Sequence, residues 1–139
     1  MSDAPERLSA FLSRVPYVAY LGMRAELAGD EMTAILPFAD HLVGNTRIPA
    51  LHGGVIGAFM ELTALAQLVV DESQRRTPKT IDITIEYLRP GLAQPLYARA
   101  DVRKVGRRVA NVHVDAWQDL RAAPVAALRG HFLLQAEKD

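Results

Sequence analysis

The alternation of apolar and polar positions divides the chain into a short helix, a hairpin, one long helix and a run of strands. Over residues 6–14, Leu8, Phe11 and Leu12 recur at helical spacing, with Val15 just beyond, which predicts a short amphipathic helix. Pro16 is expected to stop it, because proline lacks an N–H and crowds the preceding turn. Residues 22–27 and 31–37 read as strands joined by Ala28-Gly29-Asp30, a turn signal, so they predict a hairpin with Met32, Ala34 and Leu36 on one face. A polar loop covers 40–50. Over residues 55–70 only Glu61, Thr63 and Gln67 are polar. A helix of that length spans about 24 Å. Being apolar nearly all round, it is expected to be buried on most sides. A membrane span fits poorly, since the run is short and carries a carboxylate near its middle. Residues 71–78 read as a charged exit loop.

Beyond residue 80 the period is two. Ile81, Ile83, Ile85 and Tyr87 alternate with Asp82, Thr84 and Glu86, and Arg89-Pro90-Gly91 breaks the strand. Leu96, Ala98, Ala100 and Val102 alternate with Tyr97, Arg99, Asp101 and Arg103. After a turn at Val105-Gly106, Ala110, Val112, Val114 and Ala116 alternate with Asn111, His113, Asp115 and Trp117. A last strand covers 125–134. Half-buried strands suit an antiparallel sheet with one covered face. The short connections leave no room for crossover helices, which excludes a doubly wound parallel fold. The prediction is α+β: about six antiparallel strands curled around one long central helix, with a short N-terminal helix, in one domain over 1–139.

Composition narrows the function. Half of the 139 residues are apolar and 23% are charged, an ordinary globular balance. Lys plus Arg equals Asp plus Glu, 16 each, so the basic excess of a nucleic-acid-binding module is missing. With no cysteine, thiol nucleophiles, Cys-bound zinc and iron–sulfur clusters are out. The first residues show no basic segment leading into an apolar stretch, which predicts a cytoplasmic protein. No HExxH or similar ligand spacing appears, so no metal is expected, and no dinucleotide or phosphate-loop glycine motif points to a cofactor. His113 and His131 read as strand histidines able to face one another. No Gly-x-Ser-x-Gly elbow is present.

The chemistry concentrates in residues 45–67. His52-Gly53-Gly54 opens the long helix, and glycine leaves the first N–H groups uncovered at the positive end of the helix dipole. Such an end can hold a phosphate or an oxyanion forming from a carbonyl. The same glycines also fit a turn, or close packing through Gly53 and Gly57. Glu61 is a carboxylate in an apolar helix, costly unless it is paired, wetted or used. It follows His52 by nine residues, about 13 Å along the axis, so within one chain it cannot reach the helix start. Two such helices, antiparallel in a twofold dimer, could bring one start near the middle of the other. A composite site across an interface is therefore expected.

Leu51-His52-Gly53-Gly54, the acid at Glu61, the stretch from Ile81 through Tyr87-Leu88-Arg89-Pro90-Gly91, and Gly106-Arg107-Arg108 together resemble the hotdog-fold acyl-CoA thioesterases. The likeness is to the PaaI-like branch, which includes the 4-hydroxybenzoyl-CoA thioesterase-like enzymes. It covers residues 15–134. It implies hydrolysis of an aryl or short- to medium-chain acyl-CoA to a free acid and CoA, by a homodimer or a dimer of dimers. By resemblance, the Gly53 N–H would polarise the thioester carbonyl. Glu61 of the partner subunit would be nucleophile or general base. Many relatives carry Asp there. His52 would shape the loop and contact the thioester, Asn45 or its neighbour Thr46 would bond the carbonyl or the water, and Thr80 would hold the water. Gly54, Arg89, Arg107 and Arg108 would bind CoA, the arginines because guanidinium suits phosphate oxygens. The alternatives are a non-catalytic acyl-CoA binding module and, less well matched, a hotdog acyl hydratase or dehydratase.

Overall fold

The computed structural model describes residues 3–71 and 76–136. Helices α1 (Ala4–Arg14) and α2 (Pro16–Leu21) precede the hairpin β1 (Arg24–Ala28) and β2 (Glu31–Leu36). Two short strands, β3 (Val43–Asn45) and β4 (Ala50–Leu51), lead into α3 (Gly53–Asp71). The strands β5 (Thr77–Tyr87), β6 (Leu96–Val105), β7 (Val109–Trp117) and β8 (Ala126–Gln135) follow. Six strands form one sheet in the order β1-β2-β6-β7-β8-β5, every neighbour antiparallel. This is the predicted α+β architecture. The helix α3 packs on β2, β5, β6, β7 and β8.

The sheet accepts the helix because its covered face is lined by small and branched residues. Ala98, Ala110, Val112, Val114, Ala116, Ala126, Leu128 and Phe132 are all essentially inaccessible, as are Phe59, Met60 and Ala64 of α3. Gly130 belongs to the same set. A Cβ there would lie 2.9 Å from both Ile83 Cγ2 and Phe132 Cε2, so β8 needs glycine where β5 presses on it. By length and composition α3 could cross a membrane, yet 67% of that stretch is buried inside the fold. Its apolar character serves the core.

The structure extends or changes three sequence expectations. The first helix ends at Arg14, before Pro16, as expected, but Pro16 also occupies the first turn of a second helix, α2, with Val15 alone extended between them at φ −94° and ψ 106°. A residue before proline is pushed out of the helical region, while proline itself is well suited to a first turn. The polar loop contains the paired strands β3 and β4. Of the expected exit loop, Asp71 is still helical and Thr77 and Pro78 are already strand, while 72–75 lie outside the described residues.

A bulge between Thr80 and Asp82 alters the face pattern of β5. A bulge inserts one residue opposite none and reverses the alternation beyond it. Pro78 is buried and Thr80 half-buried, whereas Ile83 and Ile85 carry the covered side after the bulge. Ile81, expected to face inward with them, is instead 52% exposed.

The β2–β6 pairing is short, from Leu36↔Leu96 to Ala34↔Ala98. Where it stops, the buried Gln67 side chain takes over. Its Oε1 accepts from Met32 N–H at 3.3 Å, and its Nε2 donates to Asp30 O and Asp71 Oδ1, each at 3.0 Å. Burial raises the Asp71 carboxyl pKa against the lowering effect of the Gln67 bond, and the charge of Asp30 adds to the rise. The helix end is closed by α1: Arg7 donates to Val69 O at 3.1 Å and Val70 O at 2.7 Å.

Candidate active site

The start of α3 is organised by His52. Its Nδ1 accepts from Gly54 N–H at 2.9 Å, and its carbonyl accepts from Val55 N–H at 3.0 Å and Ile56 N–H at 3.1 Å. The side chain therefore acts as an N-cap, a role in which a side-chain acceptor satisfies a first-turn donor. Gly54 N–H is spent on this cap. Among the described residues, Gly53 N–H is left with no acceptor, the one first-turn donor still free for a ligand.

Two glycines hold this arrangement. A Cβ on Gly44 would meet His52 Cα at 2.7 Å, so β3 can lie against His52 only with glycine there. A Cβ on Gly54 would meet His52 Nδ1 at 3.0 Å. Sequence reasoning passed over Gly44. No local pattern marks it, because its contact is with a residue of another element. Asn45 is beside it, and its Oδ1 is occupied by Arg47 N–H at 3.0 Å in a local turn. Asn45 and Thr46 are both exposed near the helix start.

The strand β5 runs along α3. Tyr87 Oη donates to Gly53 O at 2.7 Å. At the other end, Thr80 Oγ1 donates to Glu61 Oε2 at 2.6 Å. Glu61 is thus a half-buried carboxylate at the edge of the helix, with one oxygen held by a hydroxyl. This answers how the apolar helix tolerates it, and the bulge is what turns Thr80 toward it. Thr80→Val is expected to lower turnover about 10- to 100-fold, and Thr80→Ser to restore most of it, since a hydrogen bond to a charged group is worth about 1.5–3 kcal/mol. A thiol-release assay on the three proteins checks it; equal rates would remove Thr80 from the site.

The two halves do not meet within the chain. Gly53 and Glu61 lie eight residues apart on α3, about 12 Å by helical rise. Beside Gly53 is a cleft of about 330 Å³ lined by Leu51, Ile56, Tyr87, Leu88 and Arg89. Gly53 itself lines this cleft beside the apolar side chains.

The arginines fall into two places. Arg107 and Arg108 sit at the β6–β7 turn, with Lys104, Asn111 and His131 around a cleft of about 610 Å³. Arg89 donates to Ala123 O at 3.2 Å at the opposite end of β5, a strand of 11 residues and roughly 33 Å. One protomer cannot apply all three to one phosphate group. Arg103 is paired with Asp101 at 2.9 Å. The expected facing of His113 and His131 is not realised: His131 lies opposite Asn111, and His113 opposite Arg129. His131 Nδ1 is 2.8 Å from Asp82 Oδ1.

With this sheet, its single long helix and the helix-start geometry in place, the chain can be set beside known proteins. The family model described as the acyl-CoA thioesterase N-terminal domain matches residues 44–134. The medium/long-chain acyl-CoA thioesterase YigI of Escherichia coli K12 is 31% identical over 120 residues, covering 76% of this chain and 77% of YigI. A Chromobacterium violaceum protein of known structure is 37% identical with a TM-score of 0.76, covering 96% of this chain and 93% of its own. A Bacillus halodurans protein solved with CoA shares the fold at 18% identity and a TM-score of 0.77, covering 98% of this chain and 93% of its own. The chain belongs to the acyl-CoA thioesterase family and has its hotdog fold. It is an acyl-CoA thioesterase, as the resemblance implied.

Proposed function

We propose that the protein hydrolyses medium- to long-chain acyl-CoA at a site shared by two subunits, with Gly53 N–H from one and Glu61 from the other. The observation that carries this is the division of the machinery along α3: a free donor at its start and a Thr80-held carboxylate in its middle. A second copy supplies the missing half. The strand β5 is an unpaired edge of the sheet, long and with the apolar Ile81 and Tyr87 exposed. Such an edge is a template for pairing with another chain. A twofold antiparallel pairing of two β5 edges centred near Ile83 or Thr84 would set Tyr87 beside residues 79–81 of the partner subunit. Since Tyr87 holds Gly53 and Thr80 holds Glu61, the donor of one subunit would then approach the carboxylate of the other.

The reaction follows from these groups. The thioester carbonyl oxygen accepts from Gly53 N–H. Thr80 holds Glu61 Oε2, leaving Oε1 to take a proton from water as its oxygen bonds to the carbonyl carbon. The oxyanion is stabilised where its charge forms. Collapse breaks the carbon–sulfur bond, and the CoA thiolate takes the proton back from Glu61. Carboxylic acid and CoA leave, and the carboxylate is restored. The name of YigI supports the medium- to long-chain acyl class, as does the apolar wall of the cleft beside Gly53. The basic hairpin of Arg107 and Arg108 suits the phosphates of CoA.

Thiol release is to be measured on acyl-CoA esters from two to sixteen carbons, together with benzoyl- and phenylacetyl-CoA. The highest kcat/KM is expected from about eight carbons upward, because each buried CH₂ contributes about 0.8 kcal/mol. A maximum on the aryl esters would overturn the chain-length assignment and leave the site assignment standing.

A further inference from the structure

The hydrogen bond from Tyr87 to Gly53 has a consequence for the oxyanion donor. Gly53 O is the first carbonyl of α3, and in an α-helix it also accepts from the N–H four residues on, that of Gly57. A carbonyl has two lone pairs, and the phenol takes the second at 2.7 Å. Gly57 lies directly beneath this contact, with its tightest approach to Ile85. A Cβ there would lie 2.8 Å from Ile85 Cδ1 and 3.5 Å from the Tyr87 hydroxyl. A Cβ on Gly53 would lie 3.5 Å from the Tyr87 ring. The two glycines form a track on which the tyrosine lies.

The peptide joining Gly53 to Gly54 is therefore pinned at both ends: Tyr87 holds its carbonyl and His52 Nδ1 holds its N–H. What remains free is the N–H of Gly53 itself. Tyr87 is 54% exposed in the isolated subunit, and it lines the cleft that borders Gly53.

We propose that Tyr87 is a positioning residue of the thioesterase site, its hydroxyl fixing the Gly53–Gly54 peptide so that the Gly53 N–H stays aimed at the cleft its ring walls. This rests on the reading of Gly53 as the oxyanion donor. The hydroxyl touches no substrate atom; it acts through the backbone. Its loss allows the turn to fluctuate, and a misdirected donor weakens transition-state binding more than ground-state binding.

Two measurements on the full chain test it. In Tyr87→Phe, which keeps the ring, kcat is expected to fall about five- to tenfold, the scale of one hydrogen bond, with KM within about twofold. In Tyr87→Leu, KM is expected to rise as well, because the wall is removed. In ¹H–¹⁵N spectra, the amides of Gly53 and Gly54 are expected to shift in Tyr87→Phe, and the Gly54 amide to exchange faster. An unchanged kcat in Tyr87→Phe overturns the proposal, and so do unmoved glycine amides. A loss confined to KM overturns it too, since that describes a binding wall alone. Failure of the hydrolytic reading shows elsewhere, as turnover retained in Glu61→Gln or absent in the wild type. The amide spectra then decide Tyr87 by themselves: shifted amides support the pinned turn, and unmoved amides overturn it.

Discussion

Glu61→Gln is expected to lower kcat about 10³-fold and to leave the fold unchanged. The size follows from what a positioned base contributes, about 10² to 10⁴ in rate. Glutamine has the shape of glutamate and can still accept from Thr80 Oγ1, which now holds Glu61 Oε2 at 2.6 Å. It cannot take a proton from water. The site is half-buried at the helix edge, so the substitution leaves no unpaired charge in the core, and melting temperature is expected to move little. Thiol release measured beside thermal unfolding separates the two effects. Turnover above a tenth of the wild-type rate would move catalysis away from this carboxylate. Loss of turnover with a folded protein that still binds acyl-CoA would support the assignment and count against a purely binding role for the fold.

The second large effect is expected from the sheet edge. Ile81→Lys is expected to yield a monomer with turnover reduced at least about 100-fold, because half of each composite site is lost with the partner. Ile81 occupies the bulge of β5 and is 52% exposed in the isolated subunit, so the lysine costs the protomer little. A charge on an edge strand blocks pairing with another edge. Light scattering gives the mass, and thiol release on the same sample gives the rate. A fully active monomer would sink the shared site, since Gly53 and Glu61 are about 12 Å apart on one helix. A dimer that persists would place the interface on another surface.

Much of the fold was legible because its signals are local. The apolar run over 55–70 is long enough for a buried helix, and α3 covers Gly53–Asp71. The alternation after residue 80 is that of half-covered strands, and β7 and β8 follow it closely, with Ala110, Val112, Val114 and Ala116 facing in. Glu61 stood out as a charge among apolar neighbours, and His52-Gly53-Gly54 as a helix start. Pro16 ended the first helix as expected, and α2 was missed because the same residue also begins the next one.

The chain by itself determined what periodicity and composition can carry: one long buried helix, an antiparallel sheet, a glycine-rich helix start and a carboxylate nine residues beyond His52. Tertiary structure alone decided which atoms of those residues remain available. Alternation would have put Thr80 on the side of Asp82, and the bulge in the β5–β8 pairing turns it to Glu61. His52 caps Gly54 and leaves Gly53 N–H free, on a seat that exists because Gly44 lacks a side chain. Arg89 and Arg107, both assigned to CoA by resemblance, lie at opposite ends of β5. The reason is common to all of these. Hydrophobic periodicity depends on the nearest residues along the chain, whereas register, bulges and close approaches depend on which distant strand or helix arrives opposite, and at what offset.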